Sequence, residues 1–239
     1  MFGQRQLWYS NGKDKSKPFK GQKKYLHPRE WLLIINSMNT LLNSTIEALD
    51  LSTLSKDRKK ILDLLVTFIQ EKKTAHAAVK LHFICTHNSR RSHFSQIWAQ
   101  AMAAYYNVPN VLSYSGGTEA TALYPMVVKT LATQGFEIHP VSEGVNPVYS
   151  IHYSESGLAL LGFSKTLDHA VNPSNGFVAI MTCDAADQDC PFIAGADQRI
   201  GLTYKDPKVS DGTPQQESVY LERSIQIATE LKYVFSRIS

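Results

Sequence analysis

The chain is poor in cysteine and has no long hydrophobic run. Only Cys85, Cys183 and Cys190 occur in 239 residues, too few for a disulfide scaffold and wrongly spaced for a zinc site. No apolar stretch approaches the roughly 20 residues that cross a bilayer, and the early run 31–35 is too short for a signal-peptide core. We therefore expect a cytoplasmic protein whose cysteines are either core residues or chemically active.

Positive charge is concentrated at the amino terminus. Residues 1–30 carry eight Lys and Arg side chains against Asp14 and Glu30, whereas the remainder holds 17 basic and 19 acidic residues. The basic run lacks interleaved aromatics and an amphipathic pattern, so neither nucleic acid nor a membrane is predicted as a partner. We expect residues 1–27 to form a basic, poorly ordered leader, with Met38 as a candidate natural start.

Helical periodicity precedes an alternation of strands and helices. Residues 28–77 are predicted to form an extension of two helices, one opened by Pro28 and one capped by Ser55. From residue 78 to 239 the pattern is typical of a parallel sheet with helical crossovers. The strands are expected at 79–86, 111–115, 177–182 and 200–204.

The predicted fold is therefore an α/β domain with a doubly wound, four-stranded parallel sheet, preceded by the helical extension. Residues 141–165 are predicted to form a β-hairpin insertion that turns at 155–157.

The stretch FICTHNSRRSH at 83–93 carries the most specific chemical signal. Cys85 ends the first predicted strand, and ligands of open α/β sheets bind outside the carboxyl ends of strands. The backbone N–H groups of the following loop can converge above the sulfur, with a helix N-terminus behind them. We expect an oxyanion-binding loop made of Thr86, His87, Asn88, Ser89, Arg90 and Ser92.

Within this loop each side chain type suits a role. The field of the N–H groups favours a Cys85 thiolate, which predicts a nucleophile whose pKa lies below its usual value. The planar guanidinium of Arg91 can grip two oxygens. Ser92 can hydrogen-bond the sulfur, and Asn88 can brace the loop from inside. The alternative is a core cysteine beside surface arginines.

No catalytic role is predicted for the other polar residues near the loop. His82, His87 and His93 are scattered by strand alternation and loop direction, so neither a metal site nor a cofactor is predicted. Glu119 and Lys165 are expected to be ordinary surface or capping residues.

Four segments resemble a known superfamily, the low-molecular-weight tyrosine phosphatases and the thioredoxin-coupled arsenate reductases. They are CTHNSRRS at 85–92, YSGGTEAT at 114–121, TCDAADQDCP at 182–191 and YKDP at 204–207. The resemblance covers about 78–239 and leaves out the amino-terminal helices and the hairpin. His87 is a departure, because these loops commonly carry glycine there.

The resemblance implies roles for residues far from the loop. Asp206, before Pro207, would be the general acid, although Asp-Pro is also a common turn pair. In the reductase branch Cys183 attacks the arsenylated Cys85, and Cys190 then attacks Cys183 to leave a disulfide for thioredoxin. Two small core cysteines are the alternative.

Three functions follow from these residues. Arsenate reduction is favoured by the cysteine spacing and by DPKVSDGT at 206–213, which lacks the tyrosines that line a phosphatase slot. A protein tyrosine phosphatase using Cys85, Arg91 and Asp206 is the second, with Tyr149, Tyr153 and Phe163 as a substitute aromatic wall. A non-catalytic oxyanion or redox sensor is the third. The expected partners are an oxyanion substrate and thioredoxin or another thiol donor.

Overall fold

The structure is a computed structural model that describes residues 38–155, 157, 159–189 and 192–239. The predicted leader, the start of the first predicted helix, Ser156 in the predicted turn and Cys190 lie outside the described residues.

The described chain alternates between helices and strands. The helices are α1 (Thr40–Glu47), α2 (Lys56–Thr74), α3 (Arg91–Tyr105), α4 (Pro125–Thr133), α5 (Asp184–Asp189) and α6 (Gln216–Phe235). The strands are β1 (Val79–Cys85), β2 (Val111–Gly117), β3 (Glu137–Pro140), β4 (Tyr149–His152), β5 (Leu160–Gly162), β6 (Phe177–Met181) and β7 (Ala196–Gly201). Short 3-10 turns occupy Leu51–Thr53 and Pro207–Ser210.

A four-stranded parallel sheet in the order β2-β1-β6-β7 forms the centre of the fold. The prediction of this sheet is confirmed. Strand β1 lies between two neighbours and is buried except at Lys80, which explains its nearly continuous apolar sequence. Its last residue, Cys85, pairs with Gly117 at the end of β2, so the carboxyl ends of both strands meet at the loop.

Two parts of the sheet structure differ from the sequence prediction. Strand β7 covers Ala196–Gly201 rather than 200–204, because it is an edge strand whose first residues are polar and partly exposed. Strands β4 and β5 pair antiparallel within the predicted hairpin, and β3 adds a third strand to them. The sequence pattern missed β3 because only four residues form it and most of them are exposed.

Helix α2 packs into the same apolar core as the sheet. The side chain of Ser55 accepts a hydrogen bond from the N–H of Arg58 at 3.2 Å, which caps the helix as predicted. Leu62, Leu65 and Ile69 are buried in one cluster that includes residues of β1 and α6. The division of the chain at residue 77 stays a prediction, but the buried face of α2 is continuous with the core of the sheet.

None of the helices in the described ranges has the combination of length and apolar sequence that a membrane span needs.

The continuity of this core can be tested on two adjacent leucines of α2. Leu65 is fully buried, whereas Leu64 is 49% exposed. We expect Leu65→Ala to lower the free energy of unfolding by about 2–5 kcal/mol, because it removes buried apolar surface and leaves a cavity. The matched control Leu64→Ala should change it by less than about 0.5 kcal/mol. Chemical denaturation measures both. A separate transition that alone responds to Leu65→Ala would show that α2 folds independently of the sheet.

Candidate active site

The thiol of Cys85 lies at the base of the loop that joins β1 to α3. Its side chain is 4% exposed, and Sγ is 3.1 Å from Ser92 Oγ. The backbone N–H of Ser89 also acts to lower the pKa of this thiol. A small opening above the thiol is lined by His87, Ser89, Arg90, Arg91 and Asp206. The thiol thus has polar groups of the loop on one side and a buried apolar cluster, which includes Ile84 and Met181, on the other.

The carbonyl groups of the loop point away from the sulfur. They accept hydrogen bonds from the segment after β2 and from the end of the hairpin. These bonds run from Glu119 N to Thr86 O (2.8 Å), from Thr121 Oγ1 and Ser164 Oγ to His87 O (3.1 and 3.0 Å), and from Tyr124 N to Ser89 O (3.1 Å). Because the carbonyl and the N–H of one trans peptide point in opposite directions, the N–H groups that share these three peptides point away from those partners. This arrangement suits a tetrahedral anion.

Asn88 fixes the tightest point of the loop. Its φ of 42° lies in the left-handed region, which asparagine tolerates better than most residues. Its side-chain Nδ2 donates to Ser92 Oγ at 2.9 Å, and its Oδ1 accepts from the N–H of Lys165 at 2.9 Å. The left-handed conformation thus falls on Asn88 and not on His87, so histidine is accommodated at 87 without backbone strain.

Gly117 is required where β2 passes the loop. A Cβ atom there would lie 2.7 Å from Asn88 N and 2.6 Å from Thr86 O. Both neighbours are backbone atoms, so a side chain at 117 would displace the loop.

Arg91 and Asp206 meet above the opening. The Nη2 atom of Arg91 donates to Asp206 Oδ2 at 2.6 Å, and its Nη1 atom donates to the carbonyl of Tyr204 at 3.0 Å. The N–H of Lys208 donates to the other carboxylate oxygen of Asp206 at 3.0 Å. The guanidinium predicted to bind an oxyanion is therefore bound to the predicted acid in this structure.

A second arginine of the loop, Arg90, contacts residues that lie far from it in the sequence. Arg90 donates to Asp211 Oδ2 at 2.6 Å and to the hydroxyl of Tyr220 at 2.5 Å, and its guanidinium lies 4.1 Å from the centre of the Tyr124 ring. These contacts connect the loop to the segment after Asp206 and to α6. Sequence reasoning missed Asp211 and Tyr220, since no local spacing relates them to Arg90.

Helix α2 contacts the segment that leads to Asp206. Arg58 forms a bidentate pair with Glu230, both at 2.8 Å, and donates to the carbonyl of Thr203 at 3.1 Å. Its guanidinium lies 4.9 Å from the centre of the Tyr204 ring. The residue whose carbonyl binds Arg91 is thus held by the helical extension.

Cys183 lies beside the same loop. It is 2% exposed, and its Sγ is 3.5 Å from Thr86 Oγ1. The N–H of Ala186, in α5, donates to this sulfur at 3.4 Å. The end of β6 therefore brings a second buried thiol next to the residue that follows Cys85.

The pKa of Cys85 is raised, which makes the prediction of a lowered pKa wrong for this structure. Burial is the largest cause, and the neighbouring Cys183 also raises the pKa. The hydrogen bond from Ser92, the charge of Arg91 and the N–H of Ser89 act in the opposite direction. The sequence indicated the groups that stabilise a thiolate but not the extent of burial that opposes them.

Lys165 is buried, so its prediction as a surface or capping residue is wrong. It is 3% exposed, because the strand-like segment after β5 runs alongside the end of β2 and turns the side chain inward. His82 and His93 are also fully buried, whereas His87 and Glu119 are on the surface. Within the described ranges, no three potential ligands are grouped so as to hold a metal ion.

The aromatic residues of the hairpin do not line the opening above Cys85. Tyr149 and Tyr153 pack against the main core, and Phe163 packs on His169 and Lys165.

Comparison with known proteins identified sequence relatives, although no family model matches the chain. The arsenate reductase of Bacillus licheniformis is 26% identical over 144 residues, which cover 60% of this chain and 84% of that protein. The arsenate reductase of Staphylococcus aureus strain Newman is 26% identical over 151 residues, covering 63% and 92%. A solved low-molecular-weight phosphotyrosine phosphatase of Vibrio cholerae aligns with a TM-score of 0.45 at 12% identity, covering 66% and 95%.

These sequence relatives support a cysteine-based enzyme. The resemblance predicted from the motifs, to the superfamily of low-molecular-weight phosphatases and arsenate reductases, is confirmed.

The hydrogen bond between Ser92 and Cys85 yields a prediction about thiol reactivity. Because this bond favours the thiolate, Ser92→Ala should raise the pKa of Cys85 further and slow its alkylation at neutral pH. The pH dependence of iodoacetamide labelling, followed at Cys85 by peptide mass mapping, measures the shift.

Ser95→Ala is the matched control for that substitution. Ser95 is also a buried hydroxyl of α3, but it donates to the carbonyl of Arg91 at 2.8 Å. It should leave the labelling profile unchanged. Equal shifts in both variants would mean that Ser92 acts through the helix and not through the sulfur.

Proposed function

We propose that this protein reduces arsenate to arsenite through a relay of Cys85, Cys183 and Cys190. The observation that carries the proposal is the second buried thiol, Cys183, 3.5 Å from the side chain of the first loop residue. A phosphatase has no use for a thiol there, whereas the reduction of arsenate needs two electrons that thiols can supply. The named arsenate reductases among the relatives are consistent with it.

In the first step the inward N–H groups and Arg91 bind the arsenate oxygens, and Asp206 is displaced from the guanidinium by the substrate. The Cys85 thiol loses its proton to the freed Asp206 carboxylate, and its sulfur forms a bond to arsenic while one arsenic–oxygen bond breaks. Asp206 donates a proton to the departing oxygen, which leaves as water. Arsenic remains in the pentavalent state on Cys85.

In the second step the Cys183 thiolate attacks the sulfur of Cys85. A disulfide forms between the two cysteines, the sulfur–arsenic bond breaks, and its electron pair stays on arsenic. Arsenic is thereby reduced from the pentavalent to the trivalent state while two thiols are oxidised. Arsenite takes up protons from water and departs.

In the third step Cys190 attacks Cys183 and releases the Cys85 thiolate. The role of Cys190 rests on the sequence alone, where the six residues DAADQD separate it from Cys183. The resulting Cys183–Cys190 disulfide would be reduced by an external dithiol of the thioredoxin type, which returns the enzyme to its starting state.

The test compares two activities in two variants. Cys183→Ser should abolish arsenate reduction coupled to thioredoxin, because no thiol remains to attack Cys85, while hydrolysis of an aryl phosphate stays within about twofold. Cys85→Ser, the control, should abolish both activities. NADPH oxidation through thioredoxin reductase and release of nitrophenol are the measurements.

Equal retention or equal loss of the two activities in Cys183→Ser would contradict the relay. Binding of arsenate without turnover by the intact protein would favour the oxyanion sensor instead.

A phosphomonoester hydrolase is the second candidate, and the position of Asp206 favours it. The carboxylate lines the opening above Cys85 and lies 2.6 Å from Arg91. This is where a general acid would protonate the oxygen of a leaving alcohol, and water would then hydrolyse the phosphocysteine.

Leaving-group dependence tests this second candidate. Asp206→Asn should slow hydrolysis of phenyl phosphate about 100-fold, within the usual range for general acids. It should slow hydrolysis of an activated dinitrophenyl ester much less, because that leaving group needs no proton. Equal losses with both esters would show that Asp206 only orients Arg91.

A further inference from the structure

Lys165 presents an ammonium group to the interior of the fold. Its Nζ atom is 3.4 Å from Ser115 Oγ and 3.4 Å from the carbonyl of Phe163, and it lies 4.6 Å from the centre of the Phe163 ring. The two hydrogen bonds are long, and the ring contact is a cation–π interaction, so all three partners are neutral groups. They leave most of the cost of burying a charge uncompensated.

No carboxylate in the described part of the chain forms an ion pair with this ammonium. Its titratable neighbours are His82 on β1 and His93 on α3, and burial together with the charge of Lys165 lowers the pKa of both to about 3. Ser115 on β2 is neutral. Burial lowers the pKa of Lys165 to about 8, so the side chain is mostly protonated at neutral pH without a counter-ion.

The same residue is joined to the oxyanion loop by its backbone. Its N–H donates to Asn88 Oδ1 at 2.9 Å, and its carbonyl accepts from the N–H of Gly117 at 3.0 Å. Through Ser115, 3.4 Å from His93 Nδ1, the ammonium reaches the first turn of α3. Lys165 thus lies on the protein side of the loop, bonded to Asn88 within it and to Gly117 beside it.

We propose that Lys165 is a positioning residue that supplies a fixed positive charge behind the oxyanion loop, with the bound oxyanion as its counter-ion. The inference rests on the oxyanion site of the proposed function. Lys165 does not touch the substrate and acts through the field in a region of low dielectric.

The lack of an acidic partner among the described residues gives the buried lysine a role in anion binding. An ion pair with a protein carboxylate would cancel the field at the loop, whereas an unpaired ammonium attracts whichever anion enters. A buried charge kept for binding is expected to cost stability. Replacement of Lys165 by an apolar residue of similar length should therefore weaken anion binding without lowering Tm.

Sulfate is the probe for the test, because it is a tetrahedral oxyanion whose charge does not change between pH 6 and pH 9. The full chain with Cys85→Ser removes the titration of the thiol, and calorimetry measures the sulfate Kd. In this background Lys165→Met should weaken sulfate binding about tenfold at pH 7, as expected for the loss of one nearby charge. Lys165→Gln, a second neutral variant, should do the same.

The pH profile separates a charge effect from a packing effect. With Lys165 present, sulfate affinity should fall as pH rises through the lysine pKa, because the charge is lost above it. This fall should be absent in both neutral variants. Lys129→Met, which removes an exposed lysine paired with Glu217, is the control for net charge and should leave affinity and profile unchanged.

Unchanged sulfate affinity and an unchanged pH profile in Lys165→Met and Lys165→Gln would overturn the inference, whatever happens to Tm. Failure of the protein with Lys165 intact to bind sulfate would overturn the oxyanion site itself, and with it the proposed function.

Discussion

The outward orientation of the loop carbonyls is the constraint on which the site depends. A backbone loop can present several N–H groups to one point only if the carbonyl groups find partners elsewhere. Here residues 119–124 and Ser164 supply those partners. The site is therefore built by three segments of the chain, although only one of them carries Cys85.

Arginine side chains connect the loop to Asp206, the predicted general acid. Arg91 binds Asp206 and the carbonyl of Tyr204, and Arg90 binds Asp211. Arg58 of α2 holds the Tyr204 region from the other side. The loop after Cys85, the segment around Asp206 and the helical extension are thus connected through charged hydrogen bonds, which are stronger than neutral ones. Substitution of any of the three arginines would therefore remove a contact to the segment around Asp206.

Local sequence patterns predicted much of the fold. The buried strands β1, β2 and β6 were predicted within a few residues, because a central parallel strand leaves a continuous apolar run. Strands β3 and β7 were missed or misplaced, since exposed and edge strands leave no such run. The positions of Cys85 at the end of a strand and of Arg91 at the start of a helix were also predicted, because they depend on local information.

The amino-acid sequence by itself determined the strand, loop and helix order, the residue types of the loop and the supply of three thiols. Only the tertiary structure decided that Lys165 is buried, that Asp206 binds Arg91, that Asp211 and Tyr220 bind Arg90, and that burial raises the pKa of Cys85. Hydrogen-bonding capacity and periodicity are properties of short segments. Burial and ion pairing depend on which distant segments pack together, and the spacing of residues along the chain does not record that.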